Sequence, residues 1–185
     1  METNLCVAGF GGQGIMALGK ILAEAACDST DKKVTFFPSY GAEQRGGTAN
    51  CYVVISDEEI GAPLGDVMDD IIVMNGASLA KFLPRVRPGG RLFVNSSIVK
   101  DEIARDDITV VRAPVTELAL ELGNAKVLNV IMLGVYVGYT RIIAPDIVWN
   151  AIEQTLGSKV SLLPLNREAF RRGLALGEAA GEDAG

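Results

Sequence analysis

Three glycines near the start of the chain have the spacing of a phosphate-binding or dinucleotide-binding turn. Gly9, Gly11 and Gly14 match the G-x-G-x-x-G pattern, with Gly12 and Gln13 between them. Glycine suits such a turn because the backbone adopts unusual dihedrals and approaches a ligand without a Cβ in the way. A helix after the turn would direct free N–H groups at a phosphate or carboxylate. The same pattern also serves turns that only let a helix pack closely on a strand.

The end of the second predicted strand excludes a standard NAD site. In such a site an acidic side chain binds the ribose at that strand end, about 20 residues after the glycines. The segment after the predicted strand Val34–Phe37 reads Pro38-Ser39-Tyr40, and Asp28 and Asp31 come before the strand. No acid therefore stands where the ribose would be bound.

A second glycine-rich loop follows that strand and is more polar than the first. Tyr40 can stack on a ring, Glu43 can form hydrogen bonds, and Arg45 can hold an anion in a forked geometry, although Arg45 pairing with Glu43 is the simpler alternative. We expect both loops at the carboxyl edge of an open α/β sheet, where ligands usually bind. The residues predicted to face a cofactor or a partner are Gly9, Gly11, Gly12, Gln13, Gly14, Ser39, Tyr40, Gly41, Glu43, Arg45, Gly46 and Gly47.

The remaining reactive residue types predict no catalytic group and no metal site. The chain has no histidine, which removes the commonest general base. Cys6, Cys27 and Cys51 are scattered, which predicts neither a disulfide framework nor an iron–sulfur cluster. Cys6 and Cys51 lie in predicted strands and are expected to be inert core thiols. The acidic pairs, among them Asp69-Asp70, are interpreted as solvated ends of strands and helices.

Composition predicts one globular domain that binds neither nucleic acid nor membrane. A length of 185 residues suits a single domain, and a net charge of −6 opposes phosphate-backbone binding. The most apolar run, Val127–Tyr139, has about 13 residues, against roughly 20 for a bilayer span. No signal peptide pattern is present, so we expect a cytoplasmic protein.

Alternating strand and helix patterns predict an α/β fold, a single three-layer α/β/α domain with a mixed, mostly parallel sheet and a Rossmann-like start. The second and third strands, joined without a helical pattern, should pair antiparallel. The domain is predicted to span residues 1–177, with a flexible C-terminal tail at 178–185.

The apolar run Val127–Tyr139 predicts a buried helix. Gly134 and Gly138 share one face of it, which allows another backbone to approach or two copies to form a homodimer. Asn129 should be a structural amide that ties this helix to a loop, and Asn166 is expected to cap the last helix.

Three motifs together resemble the gamma subunit of 2-oxoacid:ferredoxin (acceptor) oxidoreductases of the 2-oxoglutarate, pyruvate or ketoisovalerate type. They are Gly9–Gly14, the long and specific Ser39–Gly47, and Asn129 with Leu133-Gly134. The resemblance covers most of the chain. The related subunit of indolepyruvate oxidoreductase has similar motifs, and a free-standing nucleotide-binding or regulatory module is the alternative of another class.

The resemblance implies a part of an enzyme that is inactive alone. The complex of that family oxidatively decarboxylates a 2-oxoacid, transfers the acyl group to coenzyme A and passes electrons to ferredoxin. Thiamine diphosphate and the iron–sulfur cluster would be held by partners, which the family names alpha, beta and in some cases delta subunits. The chain itself would bind no cofactor alone, and its two glycine-rich loops would face the partner's active site.

Overall fold

The computed structural model describes residues 1–29, 31–40, 48–61, 65–157 and 160–183, without the side chains of residues 29 and 40. The strands are β1 (Glu2–Phe10), β2 (Lys33–Tyr40), β3 (Thr48–Ser56), β4 (Met68–Val73), β5 (Val86–Asn95) and β6 (Thr109–Ala113). The α-helices are α1 (Ile15–Ser29), α2 (Gly76–Phe82), α3 (Val115–Glu121), α4 (Leu128–Thr140), α5 (Pro145–Leu156) and α6 (Leu163–Asp183). Short 3-10 helices lie at Leu83–Arg85, Ala125–Val127 and Val160–Leu162.

The strands form one mixed sheet in the order β2-β3-β1-β4-β5-β6. Strand β3 is antiparallel to both β1 and β2, while β1, β4, β5 and β6 pair in parallel. Helices α1, α3, α4, α5 and α6 contribute to the apolar core on one face of the sheet, and α2 covers the other face. The predicted mixed, mostly parallel sheet in three layers is therefore confirmed, as is the antiparallel pairing of the second and third strands.

Helix α4 lies in the centre of the larger core. Every residue from Leu128 to Gly138 is buried, because the sheet covers one side of the helix and α6 covers another. A Cβ on Gly134 would lie 2.5 Å from the carbonyl oxygen of Phe170, and one on Gly138 would lie 2.5 Å from that of Leu174. The α6 glycines that face the same contact are Gly173 and Gly177.

The position and extent of α6 correct three expectations. The face of Gly134 and Gly138 is occupied by α6 of the same chain, so this face is not free for a homodimer. Helix α6 also continues to Asp183, beyond the point at which a flexible tail was expected, because its end packs along α4 near Tyr139. Helix α6 begins at Leu163, so Asn166 lies inside the helix, buried, instead of capping it.

A buried acidic residue joins the sheet to α4. Asp70 is fully buried on β4 and accepts two hydrogen bonds from Arg91, Nε at 2.6 Å and Nη2 at 2.7 Å, and one from Tyr136 Oη at 2.8 Å. Burial raises the pKa of the Asp70 carboxyl, although Arg91 and Tyr136 act in the opposite direction by stabilising its charge. The expectation of a solvated strand end at Asp69-Asp70 is therefore wrong for Asp70.

The tight packing of α6 on α4 predicts opposite effects for two glycines of α6. Gly177→Ala should lower the free energy of unfolding by about 1–3 kcal/mol, because its Cβ would overlap the carbonyl oxygen of Val135. Gly181→Ala should raise it by up to about 1 kcal/mol, because its Cβ would come no closer than 3.7 Å to the Tyr139 carbonyl oxygen and alanine favours a helix. Urea denaturation measures both, and equal effects would contradict the close contact.

The buried ion pair predicts a large effect of Arg91→Leu. Without Arg91 the Asp70 carboxylate is buried and has lost its cation, so the free energy of unfolding should fall by about 3–5 kcal/mol. Arg87→Leu is the matched control, because Arg87 pairs with Asp69 on the same strands at 2.6 Å but is half exposed. Its loss should be below about 1 kcal/mol. Chemical denaturation of both variants checks the difference, and two similar losses would refute the role of burial.

Candidate functional site

The first glycine turn links the end of β1 to the start of α1. Gly12 and Gly14 have positive φ angles, 91° and 72°, which confirms the unusual dihedrals predicted for this turn. The Gln13 N–H donates to the Phe10 carbonyl at 3.2 Å and closes the turn. Gly11 has no atom within 4 Å of the place that a Cβ would take. The outer side of the turn is therefore open at Gly11 and Gly12.

The Gln13 side chain is bound within the chain. Its Oε1 accepts hydrogen bonds from the Phe10 N–H at 2.7 Å and from Asn75 Nδ2 at 3.3 Å, and its Nε2 donates to the Met74 carbonyl at 3.1 Å. These bonds connect the end of β1 to the end of β4. Gln13 thus holds the turn in place from inside, instead of extending its amide toward a partner as the sequence suggested.

The crevice beside this turn is the point at which the chain direction across the sheet reverses. From β1 the chain continues through α1 on one face toward β2, and from β4 it continues through α2 on the other face toward β5. In open α/β sheets ligands bind outside the carboxyl ends of the strands at such a point. The glycine turn is therefore one wall of the position at which this fold class places its ligands.

Two asparagines that the sequence interpretation missed line the same edge. Asn75 follows β4, and its Oδ1 accepts a hydrogen bond from the Ser78 N–H at 2.8 Å, which caps α2. Asn95 ends β5, and its Nδ2 donates to Thr116 Oγ1 at 2.9 Å. The signal was present in the sequence, since each of two apolar strands is followed by or ends in asparagine. In the described part of this edge, the side-chain amides of Asn75 and Asn95 thus link the strand ends to the helices that follow them.

Asn129 confirms its predicted role as a tie between helix and loop. Its Nδ2 donates to the Gly14 carbonyl at 3.3 Å, and it lies in the first turn of α4. A Cβ on Gly14 would lie 2.5 Å from Asn129 Nδ2 and 2.6 Å from its Cγ. Gly14 is therefore required both by its dihedral and by the close approach of α4.

The second glycine-rich loop starts and ends at the same edge as the first. Ser39 and Tyr40 are the last residues of β2, and Tyr40 pairs with Ala49 of β3. Thr48, the first residue of β3, pairs with Phe10 at the end of β1, and the Phe10 side chain is 40% exposed. The residues between them that were predicted to face a partner, Gly41, Glu43, Arg45, Gly46 and Gly47, lie outside the described residues, as does the Tyr40 side chain.

The thiols add no nucleophile to this edge. Cys6 and Cys51 are buried, and burial raises the pKa of each thiol to about 12, so both remain protonated and inert near neutral pH. This confirms the two core thiols, while Cys27 is exposed on α1.

Within the described ranges no three His, Cys, Asp or Glu side chains are grouped to hold a metal ion. Among the helices of those ranges, none has the length and apolarity to cross a membrane.

Comparison with known proteins gives one family for nearly the whole chain. Residues 4–176 match the model of the family described as pyruvate ferredoxin/flavodoxin oxidoreductase. The ketoisovalerate oxidoreductase subunit VorA of Methanothermobacter marburgensis is 35% identical over 174 residues, which cover 93% of this chain but only 36% of VorA. The 2-oxoglutarate synthase subunit KorC of Methanocaldococcus jannaschii is 33% identical over 154 residues, 82% of each chain. This chain therefore spans about a third of VorA but most of KorC.

Solved structures show the same fold. The gamma subunit of a keto/oxoacid ferredoxin oxidoreductase from Geobacter sulfurreducens PCA is 27% identical with a TM-score of 0.83, and the match covers 97% of this chain and 98% of that one. The 2-oxoglutarate:ferredoxin oxidoreductase of Magnetococcus marinus, solved with 2-oxoglutarate, coenzyme A and succinyl-CoA bound, is 26% identical with a TM-score of 0.86. There the match covers 96% of this chain and 31% of the larger one.

The contact between the glycine turn and α4 predicts a strong coupling between two positions. Gly14→Ala should lower the free energy of unfolding by about 2–4 kcal/mol, from the positive φ and the overlap with Asn129. In an Asn129→Ala background the same change should cost about 1 kcal/mol less, because the overlapping amide is gone and only the Cβ of residue 129, at 3.0 Å, remains close. Gly11→Ala, with open space around it, should stay within about 0.5 kcal/mol of the wild type. Additive effects at Gly14 and Asn129 in denaturation curves would disprove the contact.

Proposed function

Because the chain belongs to the pyruvate ferredoxin/flavodoxin oxidoreductase family, we propose that it works as the gamma subunit of a complex that oxidatively decarboxylates a 2-oxoacid to acyl-CoA and passes the electrons to ferredoxin. The observation that carries this proposal is the match to a keto/oxoacid ferredoxin oxidoreductase gamma subunit over almost the full length of both chains. It agrees with the resemblance of the three sequence motifs to that subunit.

The chemistry of the reaction is assigned to the partner subunits, and the chain is inactive alone. The described residues include no histidine, no exposed cysteine cluster and no grouped metal ligands. Thiamine diphosphate and the iron–sulfur cluster therefore belong to the alpha, beta or delta partners. Three free thiols without a disulfide support the proposed cytoplasmic location.

The carboxyl edge of the sheet is the proposed partner-facing surface. Gly11 and Gly12 leave the outer side of the glycine turn open, and Phe10 beside them is partly exposed. The loop with Arg45 leaves from the same edge, since its flanking residues pair next to Phe10. We assign to Arg45 an anionic contact, with a phosphate of coenzyme A, a carboxylate or an acidic residue of the partner.

The choice of 2-oxoacid is assigned to the partners as well. Relatives named for ketoisovalerate and for 2-oxoglutarate are almost equally similar to this chain, 35% and 33% identical. A subunit whose sequence distinguishes so little between a branched and a dicarboxylic substrate is a poor candidate for the residues that select it. The proposal therefore leaves the substrate open within the 2-oxoacids.

Kinetics of the assembled complex test this surface. The chain with Gly11→Val or Arg45→Ala is co-purified with its partner subunits, and coenzyme A-dependent reduction of ferredoxin is measured with 2-oxoglutarate, pyruvate and 2-oxoisovalerate. Each change should lower assembly or kcat/KM by about tenfold or more, which corresponds to about 1.4 kcal/mol of lost contact. Gly61→Val is the control, because Gly61 also has open space but lies in the loop at the opposite edge of the sheet.

Two results would contradict the proposal. Wild-type assembly and turnover with both Gly11→Val and Arg45→Ala would show that this edge faces neither partner nor cofactor. Turnover by the isolated chain would show that it is not a dependent subunit. Tight adenine nucleotide binding by the isolated chain, measured by calorimetry without any partner, would favour the nucleotide-binding module instead.

A further inference from the structure

The sheet face that carries α2 is covered unevenly. Helix α2 packs on β4 and β1, where Leu79 and Phe82 share one apolar cluster with Cys6 and Ala8. Strands β3 and β2 continue the same face outward, but the helix that packs on them, α1, lies on the opposite face. In the described part of the chain, the outer half of this sheet face therefore has no helix over it.

Strand alternation places an exposed phenylalanine on this outer half. Val34 and Phe36 of β2 pack against the larger core, so Phe37 between Phe36 and Pro38 points to the α2 face. Phe37 pairs across the strands with Tyr52 of β3, which packs partly against the smaller core on that face. The Phe37 side chain is 45% exposed, because nothing in the described residues covers its outer side.

A second exposed phenylalanine lies on the same face. Phe10 alternates with Cys6 and Ala8 along β1, and it is the partly exposed residue at the proposed partner-facing edge. The strand pairing puts Phe37 level with Cys6, so Phe10 is two strands away and four residues further along, roughly 16 Å from Phe37. A partner that buries about 800 Å² of this chain would cover both rings.

A half-buried arginine beside Tyr52 lacks an acidic partner. Arg85 donates from Nη1 to Tyr52 Oη at 2.8 Å, from Nε to the Asp66 carbonyl at 2.9 Å and from Nη2 to the Gly65 carbonyl at 2.9 Å. These acceptors are all uncharged, and the Asp66 carboxylate forms no ion pair with Arg85. One N–H on Nη1 and one on Nη2 remain without an acceptor in the described residues. A carboxylate is the group that such a fork binds best.

Charge and symmetry favour a different chain over a second copy as the occupant. Lys81 lies 5.3 Å from the centre of the Phe82 ring, and the Arg85 guanidinium lies 5.7 Å from the same ring, so two cations stand beside this face. In a two-fold dimer the same patch faces itself, which would bring these cations toward their own copies. An acidic side chain of another chain would neutralise them.

We propose that a segment of a partner subunit packs on this face, with apolar side chains against Phe10, Phe37 and Tyr52 and an Asp or Glu carboxylate on Arg85. Aromatic residues and arginine are the types enriched in the buried centres of interfaces. The inference rests on the proposed function, because it extends the partner-facing surface from the carboxyl edge onto the sheet face beside it.

Hydroxyl-radical footprinting of the isolated chain and of the assembled complex tests the surface without any substitution. Oxidation of the Phe37 ring should fall about threefold or more on assembly, because a packed interface excludes water. Protection of Phe10 without Phe37 would limit the partner to the sheet edge and overturn the inference. Protection of Phe37 by self-association of the isolated chain would assign the face to a second copy and overturn it as well.

Variants test the two kinds of contact separately. Phe37→Ser and Arg85→Met should each weaken assembly about tenfold or more, measured below the unfolding midpoint of each variant. Arg171→Met removes the same charge from an exposed ion pair on α6 and should change assembly by less than about twofold. Added salt should weaken assembly of the wild type more than that of Arg85→Met, an effect that a purely structural role of Arg85 would not give.

The wild-type chain separates this inference from the proposed function. If it does not assemble with the partner subunits, the proposed function fails and this inference fails with it. If it assembles and the complex turns over, but Phe37 stays as reactive as in the isolated chain and both variants assemble like Arg171→Met, only the docking face is disproved.

Discussion

The burial of helix α4 on nearly all sides is the constraint on which the rest of the structure depends. A helix this apolar must be covered by the sheet below and by other helices above, because its exposure to water would cost the hydrophobic contribution of almost every residue. The glycines of α4 and α6 allow the backbones of these two helices to come into direct contact. Phe93 on the sheet packs edge-on against Tyr136 at 5.1 Å, and the Asp70 carboxylate binds the hydroxyl of the same tyrosine. These contacts fix both the distance of α4 from the sheet and its rotation about its own axis.

Helix α4 determines the position of the candidate site. Because α4 is fixed, Asn129 at its start holds the Gly14 carbonyl, and Gln13 holds the other end of the turn to β4. The side-chain amides of Gln13 and Asn129 therefore bind the inner side of the turn. On its outer side, nothing lies within 4 Å of the place that a Cβ on Gly11 or Gly12 would take. A rigid, uncharged turn with an open outer side agrees with the proposed role of a subunit that shapes the surroundings of a cofactor held by another chain.

Adjacent acidic residues with different surroundings show how strongly burial decides the role of a side chain. Asp69 and Asp70 are neighbours on β4, so their side chains point to opposite faces of the sheet. Asp69 accepts bonds from Arg87 and the Asn4 N–H near the surface, whereas Asp70 lies under α4 with Arg91 and Tyr136. Burial raises the pKa of the Asp70 carboxyl, while its hydrogen bonds to Arg91 and to the Tyr136 hydroxyl tie the sheet to α4.

The amino-acid sequence alone determined the features that depend on local patterns. Residue types at short or recognisable spacing were enough to predict the glycine dihedrals of the first turn, the extent of the apolar helix, the antiparallel second and third strands, the Asn129 tie and the family motifs.

The tertiary structure decided which partners distant residues meet. Asp70 finds Arg91 and Tyr136 at separations of 21 and 66 residues, α6 remains helical to Asp183 because α4 supports it, and Gln13 turns inward because Met74 and Asn75 lie beside it. Such contacts depend on the order of the strands and on the packing of the helices. Neither can be predicted from the residue pattern within a single segment.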